Sequence, residues 1–166
     1  MATITLKGNS IHTNGELIRA GATAPDFKAT KSDLSETTLS AYSGKRKVLN
    51  IFPSVDTATC AMSVRQFNQK AATLKNTVVL CLSADLPFAQ KRFCAAEGIN
   101  NVETLSTFRS SFAREWGLEL TDSPLKGLCS RVVVVLDENN KVLYSEQVPE
   151  IANEPSYDRA LAALSN

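Results

Sequence analysis

Between Lys47 and Gly98 the sequence passes twice from a short β-like run to a helix-period run, with Pro53, Pro87 and Gly98 marking three of the boundaries. No other feature narrows the fold so far. Lys47-Val-Leu-Asn-Ile-Phe52 predicts a strand, stopped by Pro53 because proline has no N–H to give to a sheet ladder. Beyond a loop, Ala61, Val64, Phe67, Ala71 and Leu74 recur at spacings of three and four, which predicts an amphipathic helix from about Thr59 to Lys75. Cys60 falls in its first turn. Thr77 to Ala84 predicts a buried strand, and Pro87 to Glu97 a second helix that opens on proline, ends before Gly98 and carries Cys94.

The flanks extend this alternation. Ala2 to Thr13 alternates apolar and polar residues around Lys7-Gly8-Asn9-Ser10, which predicts a hairpin that decorates the main fold. A polar stretch holding Pro25 leads to the first central strand. Later come a short strand near Val102 to Leu105, a helical piece around Ser110 to Trp116, a strand pair Arg131 to Leu136 and Val142 to Gln147, and a closing helix from Ser156. The pair turns at Asp137-Glu-Asn-Asn140, a polar cluster suited to a hairpin. This order predicts an α/β sandwich with a mixed central sheet flanked by helices, and it matches a thioredoxin-like fold. With no repeat or long polar linker, residues 1–166 read as one domain, residues 1–15 being its hairpin extension.

A formal charge of +1 gives no field toward nucleic acid or acidic lipid. The longest apolar runs are five residues, far short of the roughly 20 that a membrane-spanning helix requires. The opening MATITLKGNS lacks the basic start and apolar stretch of a signal peptide, so a cytoplasmic protein is expected. In that reducing compartment the four cysteines divide between redox chemistry and burial as small apolar side chains.

Cys60 follows a loop that hands a strand over to a helix N-terminus, where unpaired amides and the helix dipole favour the nucleophilic thiolate. Position alone fits equally well a cysteine tucked under the helix. The surroundings of Cys94, with Phe88, Arg92, Phe93 and Ala95, suit an ordinary half-buried helix residue. Cys81, in Val78-Val-Leu-Cys-Leu82, reads as inert core, and Cys129 as a further buried thiol of open role. Spacings of 21, 13 and 35 residues contain no C-x-x-C, and the single histidine, His12, is distant, so neither a structural zinc site nor a thioredoxin-type dithiol is indicated. Glycine-rich nucleotide loops and the serine-hydrolase elbow are also missing.

Pro53-Ser-Val-Asp-Thr57-Ala-Thr-Cys60 has the pattern P-x-x-x-T-x-x-C and resembles the active-site signature of the peroxiredoxins. With Lys45-Arg-Lys-Val-Leu-Asn-Ile-Phe52, Ser83-Ala-Asp-Leu-Pro-Phe-Ala-Gln90 and Arg92-Phe-Cys94, the whole chain is similar to the bacterial thiol peroxidases, of the atypical two-cysteine class. The resemblance implies a peroxidatic Cys60, a resolving Cys94 that closes an intramolecular disulfide, and activating contacts from Thr57 and Arg131. Pro53 would wall the pocket. It further implies reduction of hydrogen peroxide and alkyl hydroperoxides, recycling by thioredoxin, a homodimer, and no bound metal or flavin. A competing expectation is a redox sensor or partner-binding module using the same cysteine pair without turnover. The Gly-Gly-Leu-Gly insertion and C-terminal Tyr-Phe of the overoxidation-prone members are missing.

Overall fold

The computed structural model describes residues 1–165. Its elements in chain order are β1 (Thr3–Leu6), β2 (Asn9–His12), β3 (Lys28–Thr30), β4 (Glu36–Thr38), β5 (Arg46–Ile51), α1 (Ala58–Ala71), β6 (Thr77–Ser83), α2 (Pro87–Glu97), β7 (Glu103–Ser106), α3 (Phe112–Glu115), β8 (Val132–Leu136), β9 (Val142–Gln147) and α4 (Tyr157–Ala162). Seven strands form one mixed sheet in the order β4-β3-β7-β6-β5-β8-β9. The central β5, β6 and β7 run parallel, joined by α1 and α2, while β8 returns antiparallel beside β5. This is the expected thioredoxin-like architecture.

Alternation along the central strands sends side chains to two cores. Leu49, Ile51, Leu80, Leu82, Val132 and Val134 point to one face, where Phe27, Phe112 and Trp116 pack edge-on or tilted. Val48, Phe52, Val79, Cys81, Val133 and Val135 point to the other, covered by Val64 and Phe67 of α1, Phe93 of α2 and Ala160 of α4. Strands buried on both faces explain why β5, β6 and β8 read as nearly continuous apolar runs. Lys47, like Asn50 on the same strand, is a buried polar exception. Its buried ammonium donates to the carbonyls of Asp137 (3.3 Å) and Glu138 (3.5 Å), and loss of solvent pushes its pKa down.

Several boundaries differ from the expectation. The helix α1 stops at Ala71, not Lys75: Thr73 and Leu74 donate to the carbonyls three residues back, and Asn76 turns the chain at φ 50°. The polar stretch before β5 holds the hairpin β3–β4, whose three-residue strands are too short and polar to show a period. The N-terminal hairpin is more than decoration. Thr5 N–H donates to Pro149 O (2.7 Å), Ile151 N–H to Thr5 O (2.9 Å), and Ile4, Ile11, Leu120 and Ile151 form a small core between them. No helix of the described residues is long and apolar enough to cross a membrane.

Candidate active site

The sulfur of Cys60 lies where β5, α1 and β8 meet. Phe52 and Pro53 follow β5 and are buried, the chain loops through Ser54 to Thr57, and α1 begins at Ala58, so Cys60 is the third residue of the helix. Amides in this first turn have no intrahelical carbonyl to bond, which makes it a favourable site for negative charge. Cys60 is 0% exposed, among Phe52, Val55, Val64 and Phe67. Below it, its carbonyl accepts from Ser63 Oγ (2.8 Å), which in turn accepts from Asn50 Nδ2 (3.2 Å).

Arg131 precedes β8 and reaches back across the sheet. Its Nη2 donates to Cys60 Sγ at 3.3 Å although 71 residues separate the two in sequence. Its Nε donates to Ile151 O at 2.7 Å, which fixes the plane of the guanidinium. The remaining nitrogen, Nη1, is buried without a hydrogen-bond partner. Since a buried unpaired donor is costly, that N–H group marks a place where a polar atom is wanted. The N–H of Ile151 donates to Thr5 O of the N-terminal hairpin (2.9 Å), and the neighbouring Ala152 O accepts from Thr59 Oγ1 (2.8 Å), so the first turn of α1 and the arginine share one support.

Thr57 stands at the N-cap position, yet its side chain makes no capping hydrogen bond. Its hydroxyl donates instead to Ser54 O (3.0 Å), which leaves the oxygen lone pairs free to accept. The loop is tied down further by a carboxylate that sequence reasoning did not single out: Asp85 Oδ1 accepts from Ser54 Oγ (2.6 Å), and Oδ2 from Val55 N–H (2.9 Å) and Ser83 Oγ (2.6 Å).

Cys94 is not beside Cys60. It lies half-buried in α2, where burial pushes its thiol up while a hydrogen bond from Thr104 on β7 pulls it down. All four cysteines are free thiols. The strand whose Thr104 bonds Cys94 is β7, and Cys60 is held by the residue that precedes β8; these two strands are separated in the sheet by β6 and β5. Two ion pairs hold the surrounding segments together: Arg92 with Asp56 (3.4 Å) and Arg65 with Glu97 (2.8 Å). Cys81 and Cys129 are sealed in opposite cores, and burial pushes both thiols up to about 12.

A cysteine under a guanidinium at a strand-to-helix junction of a thioredoxin-like fold is an arrangement suited to thiol-based redox chemistry. The family model named Redoxin matches residues 19–161. The chain is 53% identical over 165 residues to the thiol peroxidase of Corynebacterium glutamicum, covering 99% of this chain and 100% of that one. The crystal structure of a peroxiredoxin-like protein from Aquifex aeolicus superposes with a TM-score of 0.94 at 34% identity, over 99% of this chain and 96% of the other. A thiol peroxidase from Chromobacterium violaceum, at 22% identity and a TM-score of 0.90 over 98% and 95% of the two chains, shares the fold. The chain belongs to the redoxin family, within its thiol peroxidases, and is a peroxidase enzyme.

Proposed function

We propose that Cys60 attacks the O–O bond of hydrogen peroxide or an alkyl hydroperoxide, that Cys94 resolves the product, and that thioredoxin restores both thiols. The observation that carries this reading is the divided use of Arg131: one nitrogen fixed on Ile151 O, one on Cys60 Sγ, and one buried and free. A guanidinium so placed stabilises the thiolate and offers a preorganised donor to the oxygen that gains charge as the bond breaks. The free lone pairs of Thr57 suit the proton of the incoming hydroperoxide, and buried Pro53 closes the wall behind the loop.

The thiolate takes the terminal oxygen, the O–O bond breaks, and water or an alcohol leaves once its oxygen is protonated. Cys60 becomes a sulfenic acid. Cys94 sulfur then displaces the hydroxyl as water and closes a Cys60–Cys94 disulfide. A disulfide needs Cα atoms roughly 4.4 to 6.8 Å apart, so the first turn of α1 and the helix α2 must unwind locally. Unwinding exposes the disulfide to the dithiol of thioredoxin, which is oxidised as the enzyme is reduced.

Free thiols and a thioredoxin cycle suit a reducing compartment such as the cytoplasm. The exposed Leu86, Phe88 and Phe108, near the ends of β6 and β7, suit burial between two copies in a homodimer. Peroxide consumption with thioredoxin, thioredoxin reductase and NADPH tests the cycle: turnover is expected, and its loss in Cys60→Ser. A single stoichiometric oxidation without turnover would contradict it.

A further inference from the structure

Asp85 touches neither sulfur, yet it joins the segments that lead into both redox helices. From its place between β6 and α2, its carboxylate collects three donors, two of them from the loop before Cys60: Ser54 Oγ at 2.6 Å and Val55 N–H at 2.9 Å. The third, Ser83 Oγ at 2.6 Å, is itself held by Gln90 of α2 through Nε2 at 3.1 Å. The backbone carbonyl of Asp85 accepts from Ser106 Oγ at the end of β7.

Ser54 then passes the constraint on. Its hydroxyl oxygen accepts from Asp56 N–H (3.1 Å), and its carbonyl accepts both the Thr57 N–H (3.1 Å) and the Thr57 hydroxyl (3.0 Å). The path from Asp85 to the hydroxyl that faces the peroxide is therefore one residue long. Charge-assisted bonds to a carboxylate are about twice as strong as neutral ones, so this anchor outweighs the other contacts of the loop.

We propose that Asp85 is the positioning residue that holds the Pro53–Thr57 loop in its peroxide-accepting geometry, and that releasing this loop is part of the step in which Cys94 reaches Cys60. The proposal rests on the roles assigned above to Cys60 and Cys94. Weakening the anchor has opposite effects on the two steps. Oxidation of Cys60 needs the loop in place and slows; disulfide formation needs it to open and accelerates. A general loss of packing would not separate them in this way.

Asp85→Asn keeps the shape and an oxygen for Val55 and Ser83, but turns an amide N–H toward Ser54 Oγ, which then loses the acceptor for its own proton. Ser54→Ala removes the same bond from the loop side and serves if the first variant folds poorly. In a Cys94→Ser background, the rate of Cys60 oxidation, read as dimedone adduct by mass spectrometry after a peroxide pulse, is expected to fall about tenfold in either variant, the loss of one charge-assisted bond. With Cys94 present, disulfide formation after the pulse is expected to quicken about threefold, because local opening loses part of its barrier. The double variant is expected to match the single ones, since both remove one contact. Oxidation within twofold of the parent in both variants, or both steps slowing together, would overturn the role of Asp85 alone. Failure of the Cys94→Ser parent to form the Cys60 adduct at all would overturn the assignments beneath it as well.

Discussion

Replacing Arg131 by lysine keeps a positive charge beside Cys60 and removes the planar fork. Arginine serves two fixed points at once, Ile151 O at 2.7 Å and Cys60 Sγ at 3.3 Å, and keeps a third nitrogen, Nη1, buried with no hydrogen-bond partner. An ammonium is a single centre on a flexible stem, so it can satisfy the carbonyl or face the sulfur, not both with a donor to spare. Each lost bond to a charged group is worth about 1.5–3 kcal/mol. If one such bond is lost from the transition state, the second-order rate constant for Cys60 oxidation falls about 10- to 150-fold. Arg131→Gln, which also removes the charge, should fall further, by about a thousandfold. The assay is stopped-flow oxidation of Cys60 at subsaturating peroxide, with circular dichroism to confirm that the variants fold. A folded Arg131→Lys within twofold of the parent would show that charge alone suffices, and would refute the argument from the fork.

Three further outcomes follow from named contacts. Glu150 joins the hairpin to the loop that supports Arg131, accepting from Ala152 N–H, Gly8 N–H and Thr5 Oγ1, and these bonds, Ala152 first, hold its carboxyl below the usual carboxylate range. A carboxyl depressed in the folded state stabilises above its unfolded pKa of about 4.3 and loses that contribution as the pH falls through the folded value, so melting temperature should drop below about pH 4 and drop less steeply in Glu150→Gln; identical acid profiles would contradict the clip. Because burial holds the Cys81 and Cys129 thiols at about 12, a thiol reagent at pH 8 should leave both unlabelled until the chain unfolds, and labelling of all four cysteines at one rate would contradict the two sealed cores. Phe88 is 65% exposed on α2, so Phe88→Glu should shift sedimentation from dimer to monomer if this face pairs two copies, and an unchanged dimer would move the interface elsewhere.

Features set by local pattern were legible in the sequence. Pro53, Pro87 and Gly98 delimit β5 and α2 because proline withholds an N–H and Gly98 takes up the left-handed φ of 67° at the helix end. Burial on both faces made β5, β6 and β8 readable as apolar runs. Strands β3 and β4 were not readable, because three residues each, with Ala29 the one apolar side chain among them, are too few to show a period. The site divides in the same way. Cys60 at a helix N-terminus follows from local order, whereas Arg131 and Cys60 are 71 residues apart and were linked only through the family resemblance. Ile151 acts through its carbonyl, which leaves no mark in side-chain chemistry. Asp85 stood in plain view in Ser83-Ala-Asp85, but an aspartate after a strand is an ordinary turn residue until its partners at Ser54 and Val55 are placed beside it.

The central claim is that one sulfur, Cys60, meets the peroxide. The direct measurement is peptide mapping of the Cys94→Ser protein after a short exposure to one equivalent of hydrogen peroxide in the presence of dimedone, alongside peroxide consumption by Cys60→Ser. The expected result is an adduct on Cys60, advancing to sulfinic acid when peroxide is in excess and dimedone is left out, with no catalytic consumption by Cys60→Ser. An adduct carried mainly by Cys81 or Cys129, or sustained consumption by Cys60→Ser, would contradict the account.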